Sequence, residues 1–350
     1  MLIADFDFEL PEELIAQHPL AERDASRMLT LERATGSWAD RRFSELPASM
    51  GPDDVLVLNN TRVFPARLVG RREPSGGQIE MFLVRELEPL VWEALARPAR
   101  RLPSGQQVSF GDGRLRAEVS EVLDEGRRAV RFECAGDFHA LLEELGRTPL
   151  PPYIKRGTEW AEDISASEDR ERYQTVFARE RGAIAAPTAG LHFTPRVLEE
   201  VRARGAQIVE LTLHVGYGTF APVRVADLSE HRVAPERFVI GEVAAETINT
   251  ARARGNRVVA VGTTSVRALE SAAGDDGLIQ AGEREARLTI TPGYRFKVVG
   301  ALVTNFHLPR SSLLVLVSSF AGRELTLAAY RHAVAERYRF YSYGDCMLII

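Results

Sequence analysis

Two hydrophobic periods divide the chain. From Ala66 to Cys134 the apolar positions fall in short, partly alternating runs: ARLVGRR, QIEMFLVREL, VWEALARPA, QQVSFGDG, LRAEVSEVL and RRAVRFEC. Gly, Pro, Ser or Asp breaks many of the joins, and no convincing helix interrupts them before DFHALLEELG. Closely spaced strands with turn signals predict a small β-barrel or sandwich. It is placed at residues 63–152, and the proline-rich TPLPPYIKRG marks its boundary.

From residue 153 onward the period changes. AIAAPTAGLHF precedes TPRVLEEVRARG, where Thr194 is a good N-cap, Pro195 suits the first helical position and Gly205 stops the helix. AQIVELTLHVG, NRVVAVG, ALVTNFHLP and FYSYGDCMLII read as strands. EVAAETINTARARG, TTSVRALESA, SSLLVLVSSFAG and RELTLAAYRHAVAERYR read as helices. Strands alternating with helices predict an α/β fold with a largely parallel sheet covered on both faces. Residues 1–62 add a short helix, PEELIAQ, and the strands SRMLTLER and VLVLNN.

In such a sheet, ligands bind beyond the carboxyl ends of the strands. Four segments are expected to end there: PTAGLHF, HVGYGTF, VGTTSVR and TNFHLP. Their small residues admit close backbone approach, which makes Thr188, Gly190, Gly216, Gly218 and Thr219 candidate substrate contacts. A Gly-Thr-Thr-Ser turn opening a helix directs backbone N–H groups at an anion, so Thr263, Thr264, Ser265 and Arg267 form the best anion-site candidate. His192, His214 and His307 fall on the same edge, with Asn305 beside them. Histidine suits proton transfer near neutrality, and His192 and His214 are assigned that role. No HxxxH or HxH pair supports a metal, and no GxGxxG or GxxxxGK[ST] supports a nicotinamide or Walker-type nucleotide site.

Composition changes this picture in one respect. The net charge is −5, so no bulk basic field exists to grip nucleic acid. Arginine supplies nearly all the positive charge, since only Lys155 and Lys297 are lysines. Local clusters occur at Arg97, Arg100 and Arg101, and at Arg127, Arg128 and Arg131, for which a solvated surface is the simplest reading. Cys134 and Cys346 suggest neither a disulfide framework nor a zinc site. The N-terminus lacks a basic signal-peptide region, and the longest apolar run is too short for a bilayer, so a soluble cytoplasmic protein with no membrane association is expected.

Several long motifs resemble one enzyme family. LNNTRVFPARL, PLPPYIKR, YQTVFA, GAIAAPTAGLHFT, LHVGYGTFAPV, VGTTSVRALES, TNFHLPRSSLLVLVSSFAG and YRFYSYGDCMLI occur in the order found in the S-adenosylmethionine:tRNA ribosyltransferase-isomerases of queuosine biosynthesis. One departure is visible. Where the family typically has His-x-Met-His-x-Glu, this chain reads HRVAPE, which keeps His231 and Glu236 but puts Ala234 in place of the second histidine.

The resemblance implies an α/β domain (1–62 and 153–350) with an inserted β-barrel (63–152). It implies that the ribosyl part of S-adenosylmethionine is transferred and isomerised onto 7-aminomethyl-7-deazaguanine at the wobble position of a tRNA with a GUN anticodon. The products would be epoxyqueuosine-tRNA, adenine and methionine. S-adenosylmethionine is then a consumed substrate, with no cofactor and no metal, and a monomer is expected. A tRNA partner raises the standing of Arg97, Arg100, Arg101, Lys155 and Arg156 as contacts. The competing readings are an S-adenosylmethionine-dependent RNA methyltransferase, which lacks its glycine-rich loop here, and a non-catalytic RNA-binding protein.

Overall fold

The computed structural model describes the chain except for residues 157–164, 217–222 and 224. In chain order the elements are β1 (Arg27–Glu32), β2 (Ser37–Arg42), β3 (Val55–Asn59), β4 (Thr61–Val63), β5 (Arg67–Arg72), β6 (Gln78–Glu88), β7 (Val91–Arg97), β8 (Gln107–Phe110), β9 (Leu115–Val122) and β10 (Arg128–Cys134). There follow α1 (Phe138–Leu145), α2 (Ser165–Arg172), β11 (Glu180–Ala183), α3 (Pro195–Ala203), β12 (Gln207–Leu213), β13 (Glu236–Ile240), α4 (Glu242–Ala253) and β14 (Val258–Val261). The chain closes with α5 (Thr263–Ala272), β15 (Gly282–Ala286), β16 (Ala301–Asn305), α6 (Ser312–Ala321), α7 (Arg323–Ala335) and β17 (Cys346–Ile349).

The alternating segments form a closed antiparallel barrel in the order β10-β7-β6-β5-β8-β9. Period-two burial along β9 sends Leu115, Ala117 and Val119 inward against Ile79, Met81, Phe110 and Phe132. Closure leaves no unpaired edge. Ile184, which follows β11, packs into the barrel core and ties it to the α/β body.

The body is built on a nine-stranded sheet, β15-β13-β12-β3-β14-β16-β17-β1-β2. The continuous apolar runs of β3 and β14 are buried on both faces. Val55, Val57, Val258 and Ala260 join the core containing Ile248, Leu269 and Leu314. Leu56, Leu58, Val259 and Val261 join Val197, Val201 and Phe193 on the other side. This is the pattern expected of strands covered by helices above and below. The parallel block is β12-β3-β14-β16; β17 runs antiparallel to β16, and β13, β15 and β2 extend the flanks antiparallel.

The carboxyl ends of the parallel block, at Leu213, Asn59, Val261 and Asn305, therefore stand side by side. Two local expectations change. AIAAPTAGLHF is not a strand of this sheet: β11 pairs with β4 in a separate two-stranded ribbon, and Thr188–His192 is a 3-10 turn. PEELIAQ forms only a 3-10 turn at Glu12–Leu14. Among the described residues no single helix is long and apolar enough to cross a membrane; α6 and α7 meet that test only as a pair bent by 116°.

Candidate active site

The middle of the strand-end row is organised by Asn59. Its Oδ1 accepts from Leu213 N (3.0 Å) and Thr61 N (3.2 Å), while Nδ2 donates to Leu213 O (3.0 Å) and Thr264 Oγ1 (3.4 Å). One buried side chain thus links β3, β12 and the start of α5. Beside it, α5 begins directly from β14 at Gly262, whose φ of 87° and ψ of 152° belong to backbone open essentially to glycine. No side chain caps α5, so the N–H groups of its first turn are not capped from within. Ser265 Oγ turns back to Val261 O (2.7 Å), and Thr263, 7 % exposed, makes no hydroxyl hydrogen bond among the described residues.

At the β16 end of the row sits His192, delivered by the 188–192 turn. Asn305 Nδ2 donates to its Nε2 (3.2 Å) and to Tyr341 O (3.0 Å). The ring proton is therefore on Nδ1, which donates to Ser26 Oγ (2.7 Å); the serine hydroxyl in turn faces Arg23 O (3.4 Å). Phe43 packs against the ring with centroids 5.2 Å apart. Burial, reinforced by Arg339 and Arg23, pushes the imidazole pKa down to about 3. His192 is thus a neutral hydrogen-bonding group with both nitrogens engaged, and a poor base in this arrangement. It borders a small open pocket also lined by Ser26, Arg23, Arg172, Leu191 and Ser342.

His214 occupies the β12 end. Its Nδ1 lies 2.8 Å from Thr61 Oγ1, and the threonine hydroxyl points at Glu180 O (3.4 Å). In the tautomer in which Thr61 donates to that carbonyl, Nδ1 carries the proton and Nε2, which makes no hydrogen bond among the described residues, presents its lone pair. The ring lies over Gly182, where a Cβ would come within 2.7 Å of it. Half-burial first, and Arg237 second, hold the pKa below the ordinary histidine value, opposed by Glu180 and Glu283. His214 and His192 terminate the same row, three strand spacings apart, or about 14 Å at roughly 4.8 Å each.

Other expected contacts have structural employment. Arg267 pairs with Glu236 inside the protein and donates to Ala286 O (2.9 Å), Ala234 O (3.2 Å) and Leu288 O (3.3 Å); it is a brace and not a free carboxylate ligand. Glu236 Oε1 accepts from Gly216 N (3.0 Å), which orients the chain just before residue 217. Gly190 is required by packing, since a Cβ would stand 2.8 Å from both Phe177 and Thr175. His307 faces away from His192, bonding Thr304 Oγ1 (2.9 Å) through Nε2 and Tyr330 through its backbone N. Thr188 is half-buried beside the row. Gly218 and Thr219 lie outside the described residues.

The expected tRNA contacts divide similarly. Arg156 makes a two-pronged ion pair with Asp169 (2.7 Å to each oxygen) and donates to Gln17 O (2.9 Å), so it is a scaffold residue. Lys155 pairs with Glu12 at the surface. Arg97, Arg100 and Arg101 are exposed at the β7–β8 turn of the barrel. Buried Arg128 holds that turn by donating to Leu102 O (2.8 Å) and Ala99 O (2.9 Å). Tyr338, Phe340, Tyr341 and Tyr343 are core residues and offer no exposed stacking face. Asn59, Ser26 and Arg23 escaped assignment; the only signal was a polar Asn-Asn-Thr closing the apolar run VLVL. Among the described residues no group of His, Cys, Asp or Glu side chains could hold a metal ion.

An inserted closed barrel on an α/β sheet, with paired histidines and an uncapped helix end along one strand-end row, defines a class of two-part α/β proteins with a built polar edge. Within it the chain belongs to the family described as "Queuosine biosynthesis protein", whose profile matches residues 3–349. It is 55 % identical over 351 residues to the S-adenosylmethionine:tRNA ribosyltransferase-isomerase of Citrifermentans bemidjiense, and 51 % identical over 350 residues to that of Desulfitobacterium hafniense, with 100 % of each chain covered. The crystal structure of the S-adenosylmethionine tRNA ribosyltransferase from Thermotoga maritima is similar, with 36 % identity, a TM-score of 0.55, and coverage of 99 % of this chain and 100 % of that one.

Proposed function

We propose that this protein is an S-adenosylmethionine:tRNA ribosyltransferase-isomerase that works along the strand-end row. The observation that carries the site assignment is that His214 Nε2, without a hydrogen bond among the described residues, lies on the same edge as the uncapped N-terminus of α5. The sulfonium acidifies the neighbouring C5′ hydrogens. His214 Nε2 accepts one of these protons; the ylide electron pair forms a C4′=C5′ double bond as the C4′–O4′ bond breaks, O4′ becomes the C1′ carbonyl, and adenine leaves and takes up a proton. The neutral aminomethyl nitrogen of 7-aminomethyl-7-deazaguanine then adds to the opened sugar. Attack of the regenerated ylide carbon on the C1′ carbonyl closes the ring, and the alkoxide displaces methionine to leave the epoxide. No net electrons enter or leave, so the reaction needs no redox cofactor, and S-adenosylmethionine is consumed as a substrate.

The first turn of α5 receives the methionine carboxylate through the N–H groups and hydroxyls of Thr263 and Thr264, where the helix dipole favours negative charge. Neutral His192, Asn305 and Thr188 hydrogen-bond the sugar or the leaving base. Asn305 Oδ1 is buried without a partner among the described residues, an arrangement that costs about 1–3 kcal/mol unless a donor arrives. Arg97, Arg100 and Arg101 bind the tRNA backbone. The protein acts as a monomer in the cytoplasm on GUN-anticodon tRNA.

The test is adenine release from S-adenosylmethionine, with and without tRNA bearing the aminomethyl base. Release only with that tRNA supports the reading. Formation of S-adenosylhomocysteine points to a methyltransferase, and binding without turnover points to a non-catalytic RNA-binding protein.

A further inference from the structure

Some buried or braced arginines in this fold are paired with carboxylates, namely Arg156 with Asp169, Arg196 with Asp24, Arg257 with Asp54 and Arg267 with Glu236, whereas Arg33, Arg128 and Arg252 donate to carbonyls. The arginines around the His192 pocket are of the second kind, and Arg23 and Arg172 line it. Arg23 donates only to carbonyls, those of Leu191 (3.2 Å), Glu171 (3.2 Å) and Arg172 (3.5 Å). Arg172 likewise donates to Ala21 O (3.1 Å) and Leu20 O, and its Nε is buried without a partner. Just behind, Arg339 donates to His18 O while one of its terminal nitrogens is buried and unpartnered. None of the three has a carboxylate within 4.0 Å among the described residues.

The nearby acids are engaged elsewhere. Asp169 is taken by Arg156 and also accepts from Tyr343 Oη (3.3 Å), and Asp345 accepts the backbone N–H groups of Arg27 and Arg339 (2.8 Å each). Burial first, and the neighbouring Arg172 second, disfavour the charged form of Arg23, opposed by Glu171 and Tyr343. Two guanidiniums on one pocket wall, with the exposed Glu171 as the carboxylate acting on Arg23 among the described residues, favour an anion in the pocket. Ser26 and Ser342 add hydroxyls to the lining, and Pro19 and Leu20 form its rim.

We propose that the Arg23–Arg172 pocket beside His192 is a phosphodiester subsite, gripping one backbone phosphate of the RNA substrate next to the nucleotide being modified. This rests on the functional reading above and deepens it. The guanidinium forks match the non-bridging oxygens of a phosphate. The small substrate's carboxylate already has a place on α5, reached from β16 by one strand spacing. The two anions then flank Asn305 and His192, and this fixes how the nucleotide and the sulfonium compound meet.

The experiment compares Arg23→Gln and Arg172→Gln with Arg23→Lys and Arg172→Lys. Affinity for the modified-base tRNA is measured as a function of salt without S-adenosylmethionine, and the KM for S-adenosylmethionine is measured separately. Each Gln variant is expected to weaken tRNA binding about tenfold at low salt and to lower the slope of log K against log salt by roughly 0.7–1. The Lys variants restore the slope, and the KM for S-adenosylmethionine stays the same. An unchanged slope with a raised KM assigns the pocket to the small substrate's carboxylate and overturns the proposal. Weakened binding with an unchanged slope that Lys does not rescue reduces both arginines to carbonyl braces, and no change in any quantity removes the subsite. A reduced slope without adenine release from the parent protein would keep the pocket and sink the functional reading; a parent that ignores tRNA at low salt would sink both.

Discussion

Replacing His214 with Gln probes the proposed chemistry with little disturbance to packing. Glutamine can still donate to Thr61 Oγ1, the partner of Nδ1 at 2.8 Å, but it offers no basic lone pair where Nε2 now stands. A positioned general base contributes about 10²–10⁴-fold, or roughly 2.7–5.4 kcal/mol of barrier. Single-turnover adenine release at saturating substrates should fall by that factor, while tRNA affinity holds. The pH profile supplies the second readout. Burial and Arg237 outweigh Glu180 and Glu283, so the folded pKa lies below 6.5. The acid limb of the parent rate should therefore lie below pH 6.5, with the rate falling as the pH drops through that lowered value. In the variant this acid limb disappears, whereas any limb set by the substrate amine, at higher pH, remains. A loss of less than about threefold, or an acid limb that survives the substitution, refutes the assignment.

Three other outcomes follow from the described contacts. Arg267→Met removes the ion-pair partner of buried Glu236, which should cost about 3–5 kcal/mol in denaturant unfolding; the double variant with Glu236→Gln should recover much of it, and a cost below about 1 kcal/mol contradicts the brace. Arg100→Glu with Arg101→Glu should weaken tRNA binding and flatten its salt dependence without moving the melting temperature, as both side chains are exposed; unchanged affinity at low salt relocates that footprint. His192 and His307 are held neutral, with pKa values pushed down to about 3 by burial, so between there and 6.5 the unfolded chain binds more protons than the folded one. Stability should fall with falling pH in that window by about 1.4 kcal/mol per pH unit for each. Denaturation midpoints from pH 7 to 5 check this, and a His307→Gln variant with an undiminished slope refutes it.

The fold was legible where local chemistry and burial agreed. Thr194 caps α3 by accepting from Val197 N (3.2 Å), Pro195 is its first residue, and the apolar runs of β3, β14 and β16 are interior strands. The site was legible as an edge but not as an arrangement. GAIAAPTAGLHFT has the apolar look of a sheet strand, yet its proline and small residues suit a turn laid across the strand ends. Arg267 and Arg156 carry the residue type of anion ligands, and only the fold reveals that Glu236 and Asp169 already neutralise them. His192 and His214 look equivalent in one dimension; Asn305 occupies the free lone pair of one, and nothing among the described residues occupies that of the other. Such distinctions depend on partners between 13 and 153 residues away, which periodicity cannot supply.

The central claim is that a base at the β12 end of the row removes a proton from the carbon next to sulfur. Single-turnover reaction with S-adenosylmethionine deuterated at both C5′ positions tests it most directly. The account predicts that deuterium is lost from C5′ to water alongside adenine release, and that His214→Gln slows this loss by about 10²-fold or more. Product that retains both deuterium atoms, or loss at the parent rate in the variant, would contradict it.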